Sequence, residues 1–305
     1  MQKVIKPPFP VPTYKTIGHR GAGKLAAENT LQSFKLAQAL GLTWVEFDTQ
    51  PCETGEWILL HDDSLDRTTN GQGLIANTPL EKVLQLKAGK ELEFSKDTGF
   101  NNASFNKASF NNAGSNSASS NSASSNNASS NNAAFNNASS NAEAIPLLEA
   151  IPLLSEALDS LAALNLHPNI EIKSSLPLSG KSFENFLKIV DEHWPSSKPP
   201  PLISSFQADI LLEIKDRAPQ FPLGYNIEQI QPHTINLIKE RNFFSLHCDY
   251  EMLTQETLQT LLAESFPLLL YTVNDPKLAQ DYFQKGVWAI FSDFPNLIAQ
   301  SLLKA

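Results

Sequence analysis

Seven residues of this 305-residue chain are of types that could act together on a charged substrate: His19, Arg20, Glu46, Asp48, His61, Glu171 and Lys173. Glu46 and Asp48 stand two apart in Thr43-Trp44-Val45-Glu46-Phe47-Asp48, so on a strand both project from one face. Glu171 and Lys173 bear the same relation in Asn169-Ile170-Glu171-Ile172-Lys173. Three carboxylates brought to one place repel each other unless a cation or a proton joins them. All-oxygen ligands suit Mg²⁺ or Ca²⁺ better than zinc. Arg20 and Lys173 would add positive charge suited to a phosphate. Two histidines could then serve as general base and general acid on opposite sides of a phosphorus centre. Taken singly, each feature has a plainer reading. A strand-end histidine is more often a hydrogen-bonded structural residue, and a Glu-x-Asp or Glu-x-Lys pair is often an ion pair with a neighbour. What favours chemistry is that all of them fall at the ends of successive strand-like runs.

Those runs must be placed by elements. Thr16-Ile17-Gly18-His19-Arg20 ends in glycines and then a helix start, with Asn29 as the expected N-cap and Gln32 as its reciprocal partner. Leu31, Phe34, Ala37 and Leu40 follow at helical spacing, and Gly41 stops the helix. The connection between Thr43–Asp48 and Glu56–His61 is too short for a parallel crossover and predicts a β-hairpin. Centred between Thr54 and Gly55, it sets Asp48 opposite His61 to within a residue of register. Strands are further expected at 169–173, 201–205, 221–225, 243–248, 268–273 and 287–293, with helices between them, such as 182–193 and 255–264. With 15–19 and 43–48 that makes eight βα units, the pattern of a TIM (β/α)₈ barrel, whose ligands bind at the carboxyl ends of the strands. Tyr271 is read equally as lining that mouth or as core; His167, His193, His233 and His247 are read as structural or surface residues.

One stretch does not fit a barrel. From about residue 97 to 144 the chain is largely Asn, Ser and Ala, with Ala recurring every five residues from Ala103 to Ala138. Inside the repeat only Phe105, Phe110 and Phe135 are large and apolar, too few for a solenoid core, so this low-complexity insert is expected to lack ordered structure. Glu143-Ala144-Ile145-Pro146-Leu147-Leu148 is then repeated as Glu149-Ala150-Ile151-Pro152-Leu153-Leu154, and only the second copy is placed to lead into the next helix. The expectation is one domain over 1–305, its core about 15–300, interrupted by the insert. A net charge of −9 argues against nucleic acid as partner. Two cysteines are too few for a disulfide framework, and no apolar run is long enough to span a membrane or form a signal peptide. A soluble, cytoplasmic protein is expected.

His19-Arg20-Gly21, Glu28-Asn29-Thr30, Glu46-Phe47-Asp48, His61-Asp62, Leu65-x-Arg67-Thr68, Asn169-Ile170-Glu171-Ile172-Lys173, Ser204-Ser205-Phe206 and Tyr271-Thr272-Val273-Asn274 occur in this order. On these motifs the chain resembles the glycerophosphodiester phosphodiesterase family. The phrases Gly23-Lys24-Leu25-Ala26 and Leu176-Pro177-Leu178-Ser179-Gly180 resemble its cytoplasmic bacterial subtype, associated with the glycerol-3-phosphate uptake operon. The resemblance implies a TIM barrel that hydrolyses small-molecule glycerophosphodiesters to an alcohol and sn-glycerol 3-phosphate. It implies His19 and His61 as the acid–base pair, Glu46, Asp48 and Glu171 as ligands of one divalent cation, Mg²⁺ or Ca²⁺, and Arg20 and Lys173 as contacts to the phosphate. Departures are Ala27 in place of the usual proline, Trp288-Ala289 in place of Asp-Gly, and Ser292 in place of threonine. A lysophospholipase-D-like activity on longer lipids and a silent binding or scaffold protein are the competing readings.

Overall fold

The computed structural model describes residues 9–90, 148–173, 177–231 and 233–303. Along the chain come β1 (Thr16–Gly18), β2 (Trp44–Pro51) with its antiparallel partner β3 (Trp57–Leu59), and a short pair, β4 (Lys87–Ala88) and β5 (Glu149–Ala150). Then follow β6 (His167–Ile172), β7 (Leu202–Ser205), β8 (Leu223–Ile227), β9 (Ser245–Asp249), β10 (Leu268–Tyr271) and β11 (Ala289–Ser292). The parallel strands run β1-β11-β10-β9-β8-β7-β6-β2, and β1 meets β2 again at Gly18 and Val45, so the eight close into the expected TIM barrel ringed by helices. β3 lies outside this ring, paired antiparallel with the outer end of β2.

The period of two decides which side chains reach the barrel axis. Trp44, Glu46 and Asp48 alternate with Val45 and Phe47, which pack outward against helices such as α1 (Leu31–Ala39). β2 and β6 run in register, with Trp44 beside His167, Glu46 beside Asn169 and Asp48 beside Glu171. The interior is thus layered, aromatic at the amino end of the strands and acidic at the carboxyl end. At the amino end Phe9 enters from below, its ring 4.7 Å from that of Trp44 and 4.9 Å from those of His167 and Phe244. Trp288 joins the same aromatic floor, so the departure at this position is absorbed as packing. Burial holds His167 neutral, its pKa down to about 3, which agrees with its reading as structural. Phe9→Ala should cost about 3 kcal/mol, the usual cost of a large core truncation, read as a lower urea midpoint at unchanged m-value.

Two local expectations shift. The N-cap of α1 is Thr30, whose Oγ1 accepts the Ser33 N–H at 3.2 Å. Asn29, the expected cap, sits at φ +57° and spends its side chain on Asp48 instead. The hairpin pairs Pro51 with Trp57 and Thr49 with Leu59, so continued by one step the register sets Asp48 opposite Leu60, one residue from His61.

The insert lies outside the described residues, as does the first copy of the Ile-Pro-Leu-Leu phrase except for the exposed Leu148. The second copy docks as expected. Ile151 is buried with Cys52, Ile58, Leu65, Ile75 and Val83, Pro152 accepts the Leu59 N–H, and Leu154 opens the helix Leu154–Leu164. On either side of the insert, β4 and β5 pair antiparallel, Lys87 with Ala150 and Ala88 with Glu149. The chain therefore leaves and re-enters side by side. Loop closure costs only about 0.6 kcal/mol per doubling of loop length. Joining Gly99 directly to Ala144 should leave Tm and kcat nearly unchanged; a deletion variant that unfolds would show the tract to be structural.

Candidate active site

At the carboxyl ends of the strands the barrel opens into a cavity of about 400 Å³, and all seven residues expected from the sequence line it. His19 and Arg20 leave β1 in a tight turn. Arg20 sits at φ +52° and Gly21 at φ +102°, and a Cβ on Gly18 would run into the Gly21 carbonyl. Ser33 of α1 ties the turn down, accepting the Ala22 N–H at 2.7 Å and donating to the Arg20 carbonyl at 3.1 Å.

Glu46, Asp48 and Glu171 each offer one oxygen within 4.8 Å of the others. Each also has an oxygen held by a neutral donor. The Arg20 backbone N–H donates to Glu46 Oε2 at 2.8 Å, Asn29 Nδ2 to Asp48 Oδ2 at 2.9 Å, and Asn226 Nδ2 to Glu171 Oε2 at 3.0 Å. Asn29 closes a second bond by accepting the Asp48 N–H at 3.1 Å. Lys173 Nζ lies 2.9 Å from Glu171 Oε1 and 3.5 Å from Asp48 Oδ1, while Arg20 Nε is 3.5 Å from Asp48 Oδ2.

Burial pushes Glu46 well above the usual carboxylate range, and the charges of Asp48 and Glu171 push it further. Burial and Asp48 likewise raise Glu171. Burial acts on Asp48 in the same direction, but Lys173, Arg20, His61 and the Asn29 hydrogen bond outweigh it and hold the group at about 2. Three carboxylates thus face Lys173, which pairs with Glu171 and Asp48, and Arg20, which is shared between Asp48 and Glu28, so the cluster remains short of positive charge. An all-oxygen, buried, under-compensated donor set fits a hard divalent cation.

The two imidazoles are held alike. His19 Nδ1 lies 2.7 Å from Asp293 Oδ1, and His61 Nδ1 lies 2.6 Å from Asp62 Oδ1. In both rings Nε2 is the nitrogen not held by a carboxylate. Burial would raise Asp293, but the His19 hydrogen bond and charge and the nearby Lys24 bring it down to about 2. Its backbone N–H donates to Asn274 Oδ1 at 2.8 Å, and Ser292 Oγ donates to the same oxygen at 3.2 Å. Serine in place of threonine therefore keeps the hydroxyl contact. For His61, burial is the leading influence and lowers its pKa; Asp48 opposes this, and Arg20 and Lys173 reinforce it.

Several lining residues were not assigned to the site from sequence. Asn226 and Asn169 carry buried Oδ1 atoms without a hydrogen-bond partner. His247, read as structural or surface, forms part of the cavity wall; its Nε2 is 2.9 Å from Ser245 Oγ, and burial keeps it neutral with a pKa of about 3. Its ring occupies the space a Cβ on Gly224 would need. Tyr271 does line the cavity, donating its hydroxyl to the Ile227 carbonyl at 2.8 Å, and the half-exposed Phe206 packs edge-on to it. Position at a strand's carboxyl end was the available signal for Asp293. Asn226 and His247 gave none, since Asn and His within short apolar runs are common in ordinary strands.

Residues 19–297 match the model of the Glycerophosphoryl diester phosphodiesterase family. A glycerophosphodiester phosphodiesterase of Caldanaerobacter subterraneus subsp. tengcongensis is 26% identical over 290 residues, covering 94% of this chain and 97% of the relative. One from Bacillus subtilis is 26% identical over 294 residues, covering 92% of this chain and 84% of the relative. Among solved structures, a phosphodiesterase of Oleispira antarctica in complex with the product sn-glycerol-3-phosphate is similar with a TM-score of 0.71 at 27% identity, covering 94% of this chain and 96% of that one. With a match that begins at the first histidine of the cavity and runs through the last strand of the barrel, this chain belongs to the glycerophosphoryl diester phosphodiesterase family.

Proposed function

We propose that this protein hydrolyses small-molecule glycerophosphodiesters to an alcohol and sn-glycerol 3-phosphate, with His19 and His61 transferring protons. The observation that carries this reading is the convergence, in one cavity, of two imidazoles held at Nδ1 by carboxylates and a buried all-oxygen triad flanked by Arg20 and Lys173. Arg20 lines the cavity and brings a guanidinium charge to the place where a phosphate would sit. Lys173 adds a second positive charge at the same place. One imidazole takes the proton of the attacking oxygen as its bond to phosphorus forms. The other gives its proton to the departing alkoxide as the phosphorus–oxygen bond breaks. Water and the substrate's own neighbouring hydroxyl both satisfy this scheme as nucleophile; with the hydroxyl, a second, hydrolytic step opens the cyclic phosphate. A Mg²⁺ or Ca²⁺ held by Glu46, Asp48 and Glu171 would supply Lewis-acid stabilisation of the charge that builds on the phosphate.

No helix among the described residues is long and apolar enough to cross a membrane. Cys52 and Cys248 are free and buried, which fits a reducing, cytoplasmic setting. The phrases Gly23-Lys24-Leu25-Ala26 and Leu176-Pro177-Leu178-Ser179-Gly180 support assignment to the bacterial cytoplasmic subtype. The test is release of sn-glycerol 3-phosphate from a panel of glycerophosphodiesters, with a long-chain lysophospholipid alongside. Turnover of the diesters supports the proposal. Turnover of the lipid alone supports the lysophospholipase-D-like reading, and no turnover supports the binding protein.

A further inference from the structure

His61 stands at the head of a row of charged contacts that proton transfer alone does not require. Its partner Asp62 is gripped by Arg67, whose Nε donates to Asp62 Oδ2 at 2.6 Å and Nη2 to Oδ1 at 2.8 Å. The other edge of the same guanidinium grips Glu28, with Nη1 donating to Oε2 at 2.9 Å and Nη2 to Oε1 at 2.8 Å. Glu28 Oε1 also accepts from Arg20 Nη1 at 2.9 Å. Only a planar guanidinium can meet two carboxylates in this way; a lysine is a point charge without the fork. Both oxygens of Asp62 are thereby occupied, so the carboxylate has one orientation in which to receive His61 Nδ1.

The backbone under Arg67 is equally fixed. Leu65 is buried, Thr69 Oγ1 donates back to the Leu65 carbonyl at 2.6 Å, and the Thr68 carbonyl accepts the Gly89 N–H at 2.8 Å. The stretches Glu28-Asn29-Thr30 and Leu65-x-Arg67-Thr68, which carry no chemistry of their own, converge on this bridge. Among the described residues His19 has no such bridge: beyond His19, the side chain of Asp293 meets Lys24 and Asn274 Nδ2, each at 3.4 Å.

We propose that Arg67 is a positioning residue for His61: bridging Asp62 and Glu28, it fixes the carboxylate that selects the His61 tautomer and ties that ring to the Arg20 side chain at the phosphate side of the cavity. The proposal rests on the reading of His61 as a proton-transfer group. The test uses the full chain with uniformly ¹⁵N-labelled histidine in saturating Mg²⁺, the His61 signals being identified by their loss in His61→Gln. The wild-type ring should be a single Nδ1–H tautomer. In Arg67→Met its two nitrogen shifts should move toward each other, kcat should fall about ten-fold or more, as expected when a reacting group is misplaced, and KM should stay within about three-fold. Arg67→Lys should behave nearly like Arg67→Met. An unchanged tautomer in Arg67→Met overturns the proposal whatever happens to kcat. A mixed tautomer with normal kcat upholds the positioning role and removes His61 from the mechanism, so the two failures are distinguishable. Should Arg67→Met not fold, Arg67→Lys and Glu28→Gln carry the same two readouts.

Discussion

His61→Ala and His19→Ala are each expected to lower kcat by roughly 10²-fold or more, the scale of proton-transfer catalysis. Neither change should unfold the barrel. Both rings stand at the mouth, with side chains 20% and 29% exposed for His19 and His61, and neither belongs to the aromatic floor. Nor does either truncation strand a buried charge, since Asp62 keeps Arg67 and Asp293 keeps Lys24 and Asn274. If the histidines work at the two ends of one displacement, the double variant should lose less than the product of the single losses, because removing one group already disables the step the other serves. The decisive measurements are kcat for the three variants together with thermal unfolding. A single variant that folds and turns over at near-normal kcat would take that histidine out of the mechanism.

Chelation is the second large effect. Exhaustive EDTA treatment should abolish turnover, and either Mg²⁺ or Ca²⁺ should restore it in proportion to occupancy. The physical reason is the crowding of three buried carboxylates, whose burial and mutual repulsion Arg20 and Lys173 offset only in part. A cation that binds the folded chain must also stabilise it, by about 2.7 kcal/mol at a hundred times its Kd. Adding the cation to chelated protein should therefore raise Tm, and Glu171→Gln should weaken that rise. Full activity in chelated protein, with no shift of Tm on adding either ion, would sink the metal reading.

Most of this arrangement was legible because it obeys one rule. In a barrel, inward positions alternate along each strand, and Glu46, Asp48 and Glu171 stand on that alternation in the sequence as they do in space. The expected strands agree with those observed to within a few residues, because the apolar runs are bounded by glycines, prolines and charges. What escaped is set by contacts between distant segments. Asn29 has the features of a helix cap, yet Asp48, nineteen residues away, claims its side chain and leaves the cap to Thr30. The hairpin register, expected to within a residue, is fixed one step from the centred one because Pro51 pairs with Trp57, a detail the turn residues alone do not determine. Asn226 and His247 enter the cavity through the pairing of β8 with β9, where they are register partners, and nothing local to either residue announces it.

The antiparallel contact of β4 with β5 has a consequence for how this gene can change. Because the chain flanking the insert is held side by side where β4 pairs with β5, the barrel is expected to tolerate changes in how much chain lies between them. Where the coding sequence of the insert's five-residue period repeats as well, copying errors lengthen or shorten it in frame by whole units. Each gain or loss of a unit would pass through the same two anchor points without disturbing a strand or a ligand of the cavity. Closely related chains should therefore vary in repeat number here while their barrels stay constant in length.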